Sequence, residues 1–184
     1  GLKVVMPTTP YDAKGLIISA ARDDNPVIVC LNKMSLAIQG EVPEGSYSIP
    51  LGEANVVRKG SNFTIVALGR MLHEALKAAD KLKEFGIDAE VIDPRTLQPF
   101  DTKTVVESVK KTHRAMIVHE AVRFGGFGGE IAAQIQEEAF DYLDAPIARV
   151  GAPFSPVPFS PALEALYVPN ADRIVAEARK QLGL

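Results

Sequence analysis

The residues best placed to do chemistry lie between Ala115 and Phe140, where AMIVHEAVRFGGFGGEIAAQIQEEAF sets His119, Glu120 and Glu130 around Gly125, Gly126, Gly128 and Gly129. A glycine loop between a strand and a helix can wrap a phosphate, because free backbone N–H groups and the helix N-terminus both favour an anion. The letters here oppose that chemistry. No Lys-Ser or Lys-Thr pair follows the glycines, and Ile131 stands where the dinucleotide fingerprint needs its last glycine. Glu120 and Glu130 flank the loop and would repel a phosphate. The glycines therefore read as a place where the backbone turns tightly or approaches a neighbour, for close packing or a subunit contact. His119 reads as a hydrogen-bonded structural histidine, since no second titrating group is linked to it in a recognisable arrangement.

The elements that position this segment follow from its periodicity. Ala115 to Val118 is a short apolar run, as in a central parallel strand, and it delivers His119 and Glu120 to the C-terminal edge of a sheet, where open α/β folds carry binding chemistry. Glu130 then falls in the first turn of a helix with Ile131, Ile135 and Ala139 on one face. Upstream, strands are expected at 55–58 and 63–67, bracketing Lys59-Gly60-Ser61-Asn62 as a hairpin turn, and at 89–93, with 94–100 a loop. Helices are expected with Leu72, Ala75, Leu76, Ala79 and Leu82 inward before Gly86, and with Val105, Val106 and Val109 inward after the cap Asp101. A strand at 147–150, a proline-rich passage from Pro153 to Pro161 and a helix capped by Asn170 complete this part. Alternating strands and helices imply an α/β fold, a mostly parallel sheet with one antiparallel strand and helices on both faces.

The first forty residues form a partial βαβ unit. Lys3 to Met6 reads as a buried strand. Thr9 caps a helix that buries Ala13, Leu16, Ile17 and Ala20, and Pro26 to Leu31 reads as a second buried parallel strand. Residues 39–52, with two prolines and no helical period, read as an extended linker. The first residue is Gly1 and a buried strand follows with nothing before it, so a fragment of a longer protein is expected.

Composition narrows the function classes. A 47% hydrophobic and 23% charged chain of 184 residues is an ordinary globular protein, and its net charge of −3 gives no electrostatic reason to bind nucleic acid. No apolar run reaches the length of a membrane span, so no membrane partner is expected and the chain is expected to be soluble. Cys30 is the only cysteine, and His73, His113 and His119 lack metal-ligand spacing.

Six segments, GLKVVMPTTPYDAKGL, EVPEGSYSIPLGEA, VIDPRTLQPFD, SVKKTHRAMIVHEAVRFGGFGGEIA, EEAFDYLDAPIARV and PVPFSPALEALYVPNADRIV, cover nearly the whole chain. In this order they resemble the β subunit of the thiamine-diphosphate-dependent dehydrogenase component of 2-oxoacid dehydrogenase complexes. That family takes in pyruvate, branched-chain 2-oxoacid and acetoin dehydrogenases, and VIDPRTL with APFSPVPFSP looks slightly more like the acetoin members. The resemblance implies that residues 1–38 are the end of a pyrimidine-binding domain, 39–52 a linker and 53–184 a transketolase-type C-terminal domain. A transketolase or synthase of the same superfamily is a weaker match. A stand-alone α/β interaction or small-ligand-binding domain is the reading from another class.

In that family the α subunit holds the diphosphate and Mg2+ of the cofactor, while a β-subunit glutamate polarises its aminopyrimidine. The resemblance places that glutamate, and the β-subunit histidine near the substrate, before Gly1. Glu41, Glu44 and Glu120 do not occupy the matching motif. The chain is thus expected to contain no catalytic and no cofactor-binding residue and to be inactive alone. SAARDDNP matches a turn that in some members holds K+ through backbone carbonyls, here those of Ala20, Asp23 and Asn25. The implied partners are an α subunit, a second β subunit and the dihydrolipoyl acyltransferase core. Contacts are expected at His119, Phe124 and Phe127, and, for the core, at Asp144 and Leu184. The implied compartment is a bacterial or archaeal cytoplasm or a mitochondrial matrix.

Overall fold

The computed structural model describes residues 1–184. Its main body is a 5-stranded sheet built from β3 (Asn55–Arg58), β4 (Phe63–Ala67), β5 (Ala89–Asp93), β7 (Ala115–Val122) and β8 (Ala148–Ala152), in the order β3-β5-β4-β7-β8. β5, β4, β7 and β8 run parallel, and β3 is the antiparallel member on the β5 edge. All residues of β4 and β5 are buried, the state their unbroken apolar runs require in a sheet covered on both faces.

The covers are four amphipathic helices. α2 (Met71–Lys83) and α6 (Ala171–Leu182) bury Leu72, Ala75, Leu82, Ile174 and Ala178 against one face of the sheet. α3 (Thr102–Thr112) and α4 (Gly128–Ala139) bury Val105, Val109, Ile131 and Ile135 against the other. Their ends are chemically marked. The Asp101 side chain accepts the Thr104 N–H at 3.0 Å and the Ala54 N–H at 2.9 Å, and Asn170 accepts the Arg173 N–H at 3.0 Å. A buried hydroxyl cluster, Thr64 to Ser108 at 2.7 Å and to Thr112 at 2.6 Å, pins β4 to α3 without an orphaned polar atom.

The N-terminal unit is β1 (Lys3–Val5), α1 (Pro10–Arg22) and β2 (Val27–Val29), with β1 and β2 parallel. A third strand comes from the far side of the chain: β6 (Thr96–Gln98) pairs antiparallel with β1. Arg95 joins the two bodies. Its left-handed backbone, φ 58, is held by its N–H on the Asp93 carboxylate at 2.9 Å, its side chain pairs with the buried Asp12 of α1 at 2.6 Å, and its carbonyl accepts the Met6 N–H at 2.7 Å. Residues 39–50 form no helix or strand, yet they are not free: Ile49 is buried, and Tyr47 stacks on Tyr11 at 4.7 Å.

Several expectations are corrected. Strands 55–58 and 63–67 do not form a hairpin, because β5 lies between them and pairs with both. The 94–100 segment is not all loop, since β6 runs through it. β2 is an edge strand rather than a buried one, and Ile17 on α1 points to solvent, the buried positions being Asp12, Gly15 and Leu16. The last strand is shifted to 148–152, and a short helix, α5 (Pro161–Tyr167), follows the proline-rich passage.

Candidate functional site

The sheet order fixes where to look. From β4 the chain proceeds outward to β5 on one side and, through β7, to β8 on the other, so the topological switch point lies between the C-terminal ends of β4 and β7. A cleft of ≈ 510 Å³ opens there, lined by Leu68 and Arg70 after β4, His119 and Glu120 of β7, and Phe127. The N-terminal unit closes its other side with Met6, Cys30, Leu31 and Asn32, and Tyr167 of α5 adds to the wall. The lining is mostly apolar.

His119 stands where the β7 ladder with β4 has ended and its register with β8 shifts, so its side chain is released from the regular pleat. The ring is sealed from solvent, 3% exposed, and its Nδ1 faces the Ala121 carbonyl oxygen at 3.0 Å. A nitrogen facing a carbonyl must donate, so the hydrogen sits on Nδ1 and Nε2 is a bare acceptor; it is buried without a donor. Burial pushes the His119 pKa down and Arg149 adds to that, while the bond to Ala121 works the other way, so the ring is neutral near pH 7.

The glycine loop explains itself against this ring. A Cβ at Gly128 would lie 2.5 Å from His119 Cδ2 and 2.6 Å from Nε2; one at Gly126 would lie 2.8 Å from Cε1, and one at Gly151 of β8 2.9 Å from Cε1. The loop is a socket for the protein's own imidazole, and the space a phosphate would need is already filled. The packing expected of the glycines is thereby given a partner that the sequence did not name. His119 is consequently no surface contact: the subunit-contact expectation for it is corrected by its burial.

The other expected residues fall in separate places. Phe127 turns back into the core beside Phe100, ring centroids 6.3 Å apart, whereas Phe124 is 72% exposed and rests on Phe154 at 4.9 Å. Asp144 is exposed and pairs with Arg114 at 3.6 Å, and Leu184 is exposed at the end of α6. In the turn after α1, the Asp23 carboxylate binds Lys3 and the Asn25 N–H, and the Ala20 carbonyl accepts the Asp23 N–H at 3.4 Å. Lys3 thus places a cation on the Asp23 side chain, whereas the ligands expected for K+ at this turn are the backbone carbonyls of Ala20, Asp23 and Asn25. No group of three or more His, Cys, Asp or Glu side chains is arranged to hold a metal.

Glu120, which does not occupy the family's catalytic motif, has a structural task. It accepts the Asn32 side-chain N–H at 2.9 Å across the cleft, tying the N-terminal unit to the main body. The cleft walls Met6, Cys30 and Asn32 were not legible as site residues, because nothing local marks a residue that closes a pocket from another body of the fold.

With this geometry in place, the similarities to known proteins are consistent along the chain. The family model of the transketolase C-terminal domain matches residues 52–174. The chain is 52% identical over 182 residues to the acetoin:2,6-dichlorophenolindophenol oxidoreductase subunit beta of Cupriavidus necator, covering 99% of this chain and 54% of that protein. It is 47% identical to the Bacillus subtilis protein of the same description, covering 100% and 54%, and 47% identical to the Bacillus subtilis pyruvate dehydrogenase E1 component subunit beta, covering 99% and 56%. A solved structure described as a split gene transketolase, inactive beta4 tetramer, superposes with a TM-score of 0.83 at 31% identity, over 100% of this chain and 58% of that one. The chain spans about half the length of the curated relatives it matches. A match over this much of the chain, on the sheet order and helix cover described above, places the protein in the transketolase C-terminal domain family.

Proposed function

We propose that this chain is the C-terminal part of the β subunit of a thiamine-diphosphate-dependent acetoin or 2-oxoacid dehydrogenase, and that it contributes subunit assembly and a cleft wall rather than bond-breaking groups. The observation that carries this reading is the state of His119: the one histidine at the switch point is neutral, sealed and socketed by glycines, and the cleft beside it is apolar. The reading divides the chain into the end of a pyrimidine-binding domain at 1–38, a linker at 39–52 and a C-terminal domain at 53–184. Exposed apolar side chains on the first segment, Ile28 on the edge strand and Leu31, Met34 and Leu36 after it, suit a surface covered by further structure.

Thiamine diphosphate supplies the carbanion chemistry of such enzymes when bound. The residues of this chain do not fit it. Its glycine loop holds His119, Glu120 and Glu130 oppose a diphosphate, and no side-chain cluster suits Mg2+. In this reading the α subunit provides the diphosphate and Mg2+ site, and no step is assigned to residues here.

Partners follow from exposed apolar surface. Phe124, Val157, Phe159, Leu163 and Leu166 are exposed apolar side chains that are costly to leave in water and suit contact with an α or second β subunit. The reading assigns contact with the acyltransferase core to the exposed Asp144 and Leu184. The reading places the complex in a bacterial cytoplasm, as the relatives' sources suggest, and acetoin ahead of pyruvate, supported by 52% identity to the Cupriavidus necator acetoin relative, while the acetoin and pyruvate relatives of Bacillus subtilis are both 47% identical. The test is to combine the full-length β subunit with its α subunit and follow reduction of 2,6-dichlorophenolindophenol. Acetoin-dependent reduction is expected; no turnover with acetoin or any 2-oxoacid overturns the reading.

A further inference from the structure

Beside β8, an open hollow of ≈ 540 Å³ gathers three arginines: Arg123 just past β7, Arg149 of β8 and Arg173 of α6. None of them forms an ion pair with a carboxylate of this chain, and no acidic residue lines the hollow. Three like charges around one concavity repel each other, in a chain whose net charge is −3, so their gathering has no internal compensation. The scaffold holds them in place. The Arg173 guanidinium donates to the Gly151 carbonyl at 3.0 Å and the Tyr167 carbonyl at 3.3 Å, and the Arg123 N–H donates to the Ala152 carbonyl at 2.9 Å. Arg149 lies over the first turn of α4, where a Cβ on Gly129 would be 3.3 Å from its Nη1. The remaining wall is the Phe124–Phe154 ring pair, 4.9 Å between centroids.

We propose that this hollow binds a small phosphate-bearing molecule, its phosphate seated among Arg123, Arg149 and Arg173 and its organic part against Phe124 and Phe154. Guanidinium groups match phosphate oxygens in bidentate geometry, and a dianion relieves the repulsion among the three charges. Aromatic faces beside the cations take up a ring or other planar group that free phosphate lacks. The site uses no residue of the cleft, but it shares Phe124 with the surface proposed above for a subunit contact, so ligand and partner compete for that ring.

The test is calorimetric titration of the full-length protein with inorganic phosphate, AMP and adenosine as probes. Saturable binding of AMP with a dissociation constant of about 1 mM or tighter is expected. Phosphate should bind several-fold more weakly, adenosine not measurably, and raising the salt from low to high should weaken AMP several-fold. Arg149→Gln and the solvent-exposed Arg123→Gln should each weaken AMP and phosphate about tenfold with unchanged melting temperature, the loss of one charge-assisted contact. Phe154→Ala should weaken AMP and leave phosphate unchanged; equal binding of AMP and phosphate in the parent protein would reassign the site to free phosphate and overturn the organic-ligand claim. Adenosine binding as tightly as AMP, Arg→Gln variants that bind as the parent does, or no saturation by any phosphate probe would overturn the site. Failure of subunit assembly in Arg123→Gln would also overturn it, by giving the arginines to an acidic segment of a partner.

Discussion

β4 and β2 are both short parallel strands written in β-branched and apolar residues, yet every residue of Phe63–Ala67 is buried while Ile28 in the middle of Val27–Val29 is 45% exposed. The difference lies in what covers them. β4 sits inside a sheet with helices on both faces, whereas β2 is the edge of a 3-stranded sheet with α1 on one side. The two bodies therefore differ in how much each residue contributes. The main body carries its stability in a closed core, and the N-terminal unit depends on Arg95, Asp93 and Asp12 at the junction and on Glu120–Asn32 across the cleft.

That contrast can be broken by matched substitutions. Ile117→Ala in β7 empties a fully buried site and should cost about 3 kcal/mol, whereas Ile28→Ala should stay within about 0.5 kcal/mol, both read from urea unfolding. Comparable losses would erase the distinction between the two bodies. Gly128→Ala should cost about 2 kcal/mol, since its methyl would overlap the His119 ring, and combining it with His119→Ala should recover part of that loss. Additive effects of the two changes would show that the socket is not what the glycine is for.

The junction should be sensitive to pH. Burial pushes Asp93 up to about 7; its bond to the Arg95 N–H and the Arg95 charge oppose the rise, and Asp12 reinforces it. The folded state therefore holds the proton more tightly than the unfolded chain. The stability this gives is fully present below the unfolded value near 3.8 and is lost as pH rises through about 7. Wild-type stability should fall by about 2 kcal/mol between pH 5 and pH 8 from this group, and Asp93→Asn should flatten that fall. A variant with the same pH slope as wild type would remove Asp93 from the account. The caps come next: Thr9→Ala and Asp101→Ala should each cost about 1 kcal/mol. Thr9→Ala should speed hydrogen exchange only in α1, while Asp101→Ala should lower the global melting temperature, because its helix belongs to the closed core.

Most of the main body was legible because its signals are local. The caps Thr9, Asp101 and Asn170 and the inward faces of α2, α3, α4 and α6 lie where the sequence period puts them. What failed was pairing across distance. β3 and β4 look like a hairpin because four turn-forming residues separate them, and only the insertion of β5 between them, with Gly60 backed against the Ala89–Glu90 peptide, tells otherwise. β6 is three residues between prolines, too short to carry an alternation, and its partner β1 lies at the other end of the chain. The site shows the same limit. The glycines announced a close approach, but that the approaching group is His119 on the strand just before them, with Gly151 of β8 closing the socket, required the fold.

The central claim is that this chain shapes and assembles but does not hold the cofactor. The direct measurement is calorimetric titration of thiamine diphosphate with Mg2+ into this chain, and then into the full-length β subunit combined with its α subunit. The account predicts no saturable heat from the chain alone and saturable binding by the combined subunits. Micromolar binding by this chain alone would contradict it.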